Sequence, residues 1–206
     1  KVVSSIDKCL KAGVEVGVIV GAGNIWRGAR KGVGMNRARA DHMGMLATVI
    51  NALALQDAFI RQGIDARVLS SVEMNTFADF YTQRDADRLL SEGKVVIFGG
   101  GLGAPYFSTD TPAVVRAAEI GADVVLMAKN VDYIYTDDPR KNPEAKKLER
   151  VKATEVLAMN LKAIDATATA FSLSAGVPVR VFGFKDPADI ERAVRGDVKG
   201  TVITAE

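Results

Sequence analysis

The chain has 206 residues, 48% of them apolar and 25% charged, and its 27 basic and 25 acidic residues leave a net charge of +2. A chain of this size and composition buries roughly 70% of its unfolded surface, enough for one domain or one domain with two closely packed lobes. Near-neutrality excludes a strong field for nucleic acid or for a membrane surface, so any attraction for anions has to come from local geometry. No apolar run approaches the ~18 residues of a membrane span, and no signal-peptide pattern opens the chain. The single cysteine, Cys9, excludes an intramolecular disulfide and fits a reducing cytoplasm. It shares an apolar helical side with Ile6 and Leu10 and reads as a buried thiol rather than a nucleophile.

In chain order, residues 2–12 read as the end of a helix closed by Gly13. Lys1 falls inside that helical pattern, so the chain is expected to be truncated at its N-terminus. Val14 to Val20 reads as a buried strand, followed by a glycine-containing loop from Gly21 to Gly34. A long helix runs from about Asn36 to Gln62, stopped by Gly63. Its main apolar face is expected at Met43, Leu46, Ala47, Ile50, Leu53 and Ala54, with Met45, Val49, Ala52 and Phe59 beside it. So wide a band exceeds what one sheet face covers, and a subunit interface is expected there.

Ala66 to Ser70 is a strand, and Thr82 to Asp85 is a capping box opening a helix that ends at Gly93. Lys94 to Phe98 is a strand, Thr109 to Ile120 a helix, and Ala122 to Met127 a strand. Residues 130–143 are polar loop. Helices near 154–160 and 165–175, a strand at 177–182, a helix at 187–195 and a short strand at 201–203 complete the chain. This alternation predicts an α/β fold with a largely parallel sheet and helices on both faces.

Two strands run straight into glycine clusters, Val20 into Gly21-Ala-Gly-Asn24 and Phe98 into Gly99-Gly-Gly-Leu-Gly103. At the carboxyl ends of strands such loops let backbone N–H groups converge on an anion. Neither is a P-loop or a dinucleotide fingerprint, so spacing alone points to a phosphate ligand held by another motif. Arg27, just past the first cluster, offers a planar fork for phosphate oxygens or is a solvated surface residue. Asp41 caps, pairs with a neighbouring base, or accepts from ribose hydroxyls. Asp110 opens a helix, where a carboxylate complements the dipole. The acidic loop with Asp132, Asp137 and Asp138 carries Tyr133 and Tyr135, which together suit adenine and a Mg²⁺-bound triphosphate. Lys129 is a candidate cation for the transferred phosphate.

The runs from Gly21 to Gly28, Gly34 to Arg37 and Asp41 to Thr48 closely resemble the UMP kinases of the amino acid kinase superfamily. Pro105 to Thr111, Ala122 to Asp132, Thr136 to Pro139, Arg180 to Phe182 and Gly200 to Thr204 continue the resemblance in order along nearly the whole chain. It implies a single domain over 1–206 with the amino acid kinase αβα sandwich, lacking the family's first strand and its Lys-x-Ser-Gly-Glu loop. Roughly 1–120 would be a UMP-binding lobe and 121–206 an ATP-binding lobe. Ala22, Asp41 and the segment Leu102, Gly103, Ala104, Pro105, Tyr106, Phe107, Ser108 and Thr109 would hold UMP. Leu102 and Ala104 stand where many members carry Thr and Asn, which leaves contacts to uracil there to the backbone. Gly23 and Arg27 would reach phosphates, and Lys129, Asn130, Tyr135 and Asp138 would hold ATP, with Asp138 near its Mg²⁺. Arg27, Lys129, Asp110 and Asp165 would organise the reacting centre.

The resemblance further implies a cytoplasmic homohexamer built from dimers, with GTP as activator and UTP as inhibitor. Two alternatives stay open at this point. One is another superfamily member acting on a carboxylate or carbamate, and the other is a non-catalytic nucleotide-binding module.

Overall fold

The computed structural model describes residues 1–26 and 34–205. Two compact units emerge, one formed by Cys9–Pro112 and the other by Lys1–Lys8 with Ala113–Glu206. The chain passes from one unit to the other within helix α1 (Val2–Lys11) and again within helix α4 (Asp110–Glu119).

In the Cys9–Pro112 unit, β1 (Gly17–Ile19), β2 (Ala66–Ser70), β3 (Asp79–Phe80) and β4 (Val95–Gly99) form a parallel sheet in the order β1-β4-β2-β3. All five residues of β4 are buried. Successive side chains of a strand point to opposite faces, so the sheet is covered on both faces at β4. Helix α2 (Arg37–Ile60) packs on β2 and β4, and α3 (Gln83–Ser91) packs on β4. Asn36 caps α2 by accepting from the Arg39 amide, and Thr82 caps α3 by accepting from the Asp85 amide.

The α2 face against the sheet differs from the expected one. Ala40, Ala47, Thr48, Val49, Ala52 and Phe59 are buried, whereas Met43, Leu46 and Ile50 are 38%, 55% and 56% exposed. Small side chains face the sheet because the helix comes close to it: a Cβ on Gly99 would lie 3.1 Å from Val49 Cγ2. Contrary to the expectation that no stretch nears a membrane span, α2 reaches that length and a mean hydropathy of 1.5 over its most apolar window. The same helix packs on β2 and β4, as a core helix does.

The other unit holds β5 (Val125–Lys129), β8 (Arg150–Lys152), β9 (Val179–Gly183) and β10 (Gly200–Thr204) in the order β5-β9-β10-β8. The β9–β10 pair is antiparallel and the others are parallel. A small antiparallel pair joins β6 (Ile134–Tyr135), within the residues expected to be loop, to β7 (Lys147–Leu148), beyond them. Helices α5 (Ala153–Ala158) and α6 (Ala166–Ala175) pack on each other, and α7 (Ala188–Arg195) packs on β5 and β9. The core is a cluster of buried aliphatic residues including Val125, Met127, Val179, Val181 and Ile203. Strand β5 begins later than expected, because the Ala122 amide closes α4 by donating to the Ala117 carbonyl.

Gly200 lies opposite Phe182 in the antiparallel pair, and a Cβ there would collide with the Val181 carbonyl oxygen. Gly200→Ala is expected to destabilise the fold by about 2–4 kcal/mol, as backbone collisions in a core strand do. Denaturant unfolding measures the loss.

Candidate functional site

Strands β1 and β4 are neighbours in register, with Ile19 opposite Phe98. The two glycine loops therefore leave the same edge of the sheet side by side. They enclose a cavity of about 190 Å³. Of the residues expected to hold nucleotide, Ala22, Gly23, Asp41, Leu102, Ala104, Phe107, Ser108 and Thr109 line it, joined by Trp26, Met45 and Thr48.

The second loop is shaped by glycines where side chains have no room. Gly100, Gly101 and Gly103 all have positive φ. A Cβ on Gly103 would sit 2.8 Å from the Ser71 carbonyl oxygen. The Gly103 amide donates to the Gly100 carbonyl at 3.0 Å, and Ser71 Oγ donates to the Gly101 carbonyl at 2.7 Å. Thr109 closes the loop over the first cluster, with its Oγ1 3.5 Å from where a Gly21 Cβ would be.

Helix α2 ties both loops down. Thr48 Oγ1 accepts from the Gly100 amide at 2.9 Å and donates to the Met45 carbonyl at 2.6 Å. Asn51 Nδ2 donates to the Gly21 carbonyl at 2.7 Å. Asp41 Oδ2 accepts from the Tyr106 amide at 2.9 Å and from Arg37 Nε at 2.8 Å. The Arg37 guanidinium lies 5.6 Å from the centre of the Tyr106 ring. Tyr106 is 65% exposed and holds φ at +74°, rare for a residue with a Cβ. Asp41 is thus bound to a loop and an arginine, and the helix cap is Asn36 instead. Gly103, Pro105 and Tyr106 belong to the loop without lining the cavity. Asp110 starts α4, and its amide donates to Ser108 Oγ at 3.2 Å. Arg27 lies outside the described residues.

The other unit carries the remaining expected residues. Lys129 ends β5, and its carbonyl accepts from the Phe184 amide at 3.0 Å. Asn130 follows it, and Tyr135 lies in the β6–β7 pair opposite Lys147. Asp138 holds Arg140 in a two-pronged pair, Oδ1 to Nε at 3.0 Å and Oδ2 to Nη2 at 3.1 Å. That hydrogen-bonded guanidinium, with the Arg140 amide, draws the Asp138 carboxyl below its ordinary range. Asp165 caps α6, accepting from the Thr167 amide at 2.9 Å. Among the described residues no cluster of three or more His, Cys, Asp or Glu side chains has the makings of a metal cage.

Thr48 and Asn51 were not read from the residue pattern as site residues. Their signal is polarity: they sit at i and i+3 in a helix whose neighbours Val49, Ile50 and Ala52 are apolar.

A model of the amino acid kinase family matches residues 1–183, and the chain belongs to that family. The relatives it matches include uridylate kinases. The uridylate kinase of Deinococcus radiodurans is 50% identical over 191 residues, covering 92% of this chain and 78% of the relative. The UMP kinase of Bacillus anthracis superposes with a TM-score of 0.94 at 34% identity, over 100% of this chain and 85% of that one. The UMP kinase of Ureaplasma parvum gives 0.92 at 36% identity, over 98% and 86%. The fold is accordingly the mostly parallel αβα sandwich expected from the sequence.

Replacing Arg140 by Ala removes the first cause of the Asp138 shift. A carbon-13 titration is expected to show the Asp138 carboxyl rising toward its ordinary range. An unmoved titration contradicts the pairing.

Proposed function

We propose that the chain is a UMP kinase that transfers the γ-phosphoryl of ATP to UMP, giving UDP and ADP. The observation that carries this reading is the cavity shared by two glycine loops of adjacent parallel strands, in a chain half identical to a uridylate kinase. Phosphoryl transfer needs in-line placement of the reacting oxygens and neutralisation of their charge more than covalent help. Backbone N–H groups of the two loops suit the first need, since they are fixed donors that require no reorganisation.

The segment Leu102 to Thr109 and Ala22 would hold UMP, with Asp41 accepting from its sugar. Arg27, Gly23 and Lys129 would meet phosphate oxygens, with Asp110 and Asp165 ordering the centre. Asn130, Tyr135 and Asp138 would meet ATP. Mg²⁺ enters with ATP and neutralises phosphate charge. A magnesium ion of this kind keeps most of its ligands from phosphates and water. Single carboxylates such as Asp138 are compatible with it, and no dedicated cage is required.

The exposed Met43, Leu46 and Ile50 stripe on α2 supports assembly of copies through that helix, as a homohexamer built from dimers. Leu46→Asp is then expected to lower the mass measured by sedimentation, and an unchanged mass removes α2 from the interface. GTP activation, UTP inhibition and a cytoplasmic setting complete the reading.

A coupled assay with ATP and Mg²⁺ tests it against UMP, CMP, carbamate, aspartate and glutamate. UMP is expected to be the preferred acceptor, and turnover of carbamate or an amino acid in its place contradicts the reading. Arg27→Ala is expected to lower kcat by about 10² if the guanidinium meets the transition state. Unchanged turnover removes it from that role.

A further inference from the structure

Asn51 makes a contact that helix packing does not call for. It sits half-buried on α2 between Ile50 and Ala52, and its Nδ2 group donates one hydrogen to the Gly21 carbonyl at 2.7 Å and the other to Asn24 Oδ1 at 2.8 Å. Asn24 Nδ2 donates back to Asn51 Oδ1 at 3.1 Å. A carbonyl oxygen only accepts, so the contact with Gly21 fixes which end of the Asn51 amide faces the loop.

The consequence lies on the far side of the peptide. The described residues contain no cis peptide bond, and in a trans peptide the N–H points opposite to the C=O. With the Gly21 carbonyl drawn to α2, the Ala22 N–H is turned away from Asn51. Ala22 lines the cavity, and its N–H makes no hydrogen bond among the described residues. The next peptide is pinned as well, because the Ala22 carbonyl accepts from the Ile25 and Trp26 amides at 2.9 and 2.8 Å. Two successive peptide planes in the first glycine loop are therefore set, the first of them by a side chain from another element.

We propose that Asn51 is a positioning residue for phosphoryl transfer: by holding the Gly21 carbonyl it keeps the Ala22 N–H presented to a nucleotide phosphate. Without that hold, the Gly21–Ala22 peptide is free to turn its carbonyl oxygen toward the anion, exchanging attraction for repulsion. This inference rests on the UMP kinase reading.

The test compares kcat, KM for UMP and melting temperature of the full-length protein with those of Asn51→Ala, Asn51→Asp and Asn24→Ala. Asn51→Ala is expected to lower kcat about tenfold or more, with KM for UMP changed by less than about threefold, as for loss of a donor aligned for the transition state. Asn24→Ala leaves the Asn51 to Gly21 bond in place and is expected to keep kcat within about threefold of wild type. Asn51→Asp keeps the size of the side chain but sets a carboxylate against the Gly21 carbonyl, and is expected to lose at least as much as Asn51→Ala. Should Asn51→Ala melt below the assay temperature, Asn51→Asp carries the test. The inference is overturned if the folded Asn51 variants turn over within about twofold of wild type, or if Asn24→Ala loses as much as Asn51→Ala. A wild-type protein that forms no UDP contradicts the function itself and takes the inference with it. Equal rates in wild type and variants contradict the inference alone.

Discussion

The parallel pairing of β1 with β4 is the constraint on which the site depends. Ile19 and Phe98 stand opposite one another, so the chain leaves the sheet twice at the same edge, each time into glycines. A shift of register by even a residue would displace one loop against the other and turn the side chains of β1 to the opposite face. Burial of all five β4 residues makes such a slip expensive, because each of those side chains is already packed.

Helix α2 turns that sheet edge into a shaped cavity. Its Ala40, Ala47 and Ala52 let it approach the strands, and Asp41, Thr48 and Asn51 then reach the Tyr106 amide, the Gly100 amide and the Gly21 carbonyl. Each bond is worth about 1 kcal/mol net, which is minor beside the core. Their importance is directional. They decide which way peptide groups of the loops point, and an anion responds to that direction more than to the summed stability. The same helix leaves Met43, Leu46 and Ile50 exposed while burying Phe59, so an apolar outer face and the edge that holds the loops belong to one element.

Much of the fold was legible because its signals were local. Ala66–Ser70 was read to the residue, and Asn36, Thr82, Gly63, Gly93 and Gly121 bounded helices where capping chemistry and positive φ put them. The face of α2 was misread because hydrophobicity ranks Leu46 and Ile50 above alanine, while close packing on a sheet selects the smaller side chain. The two-residue strands at Asp79–Phe80 and Lys147–Leu148 are too short to carry a periodic pattern. The glycine loops were legible as tight turns at strand ends, and the structure places them around one cavity, with positive φ at Gly100, Gly101 and Gly103. Of the partners of Asp41, Arg37 was legible as a neighbouring base, whereas Tyr106 was not, because it lies 65 residues away and its contribution is a backbone amide.

The account comes down to the backbone donors of two loops acting on one ligand. Amide chemical shifts of nitrogen-15-labelled protein, followed as UMP is added, measure this most directly. The account predicts that Ala22, Gly23 and the amides from Gly101 to Thr109 move together along one binding curve. UMP that binds while leaving either loop unmoved would contradict it.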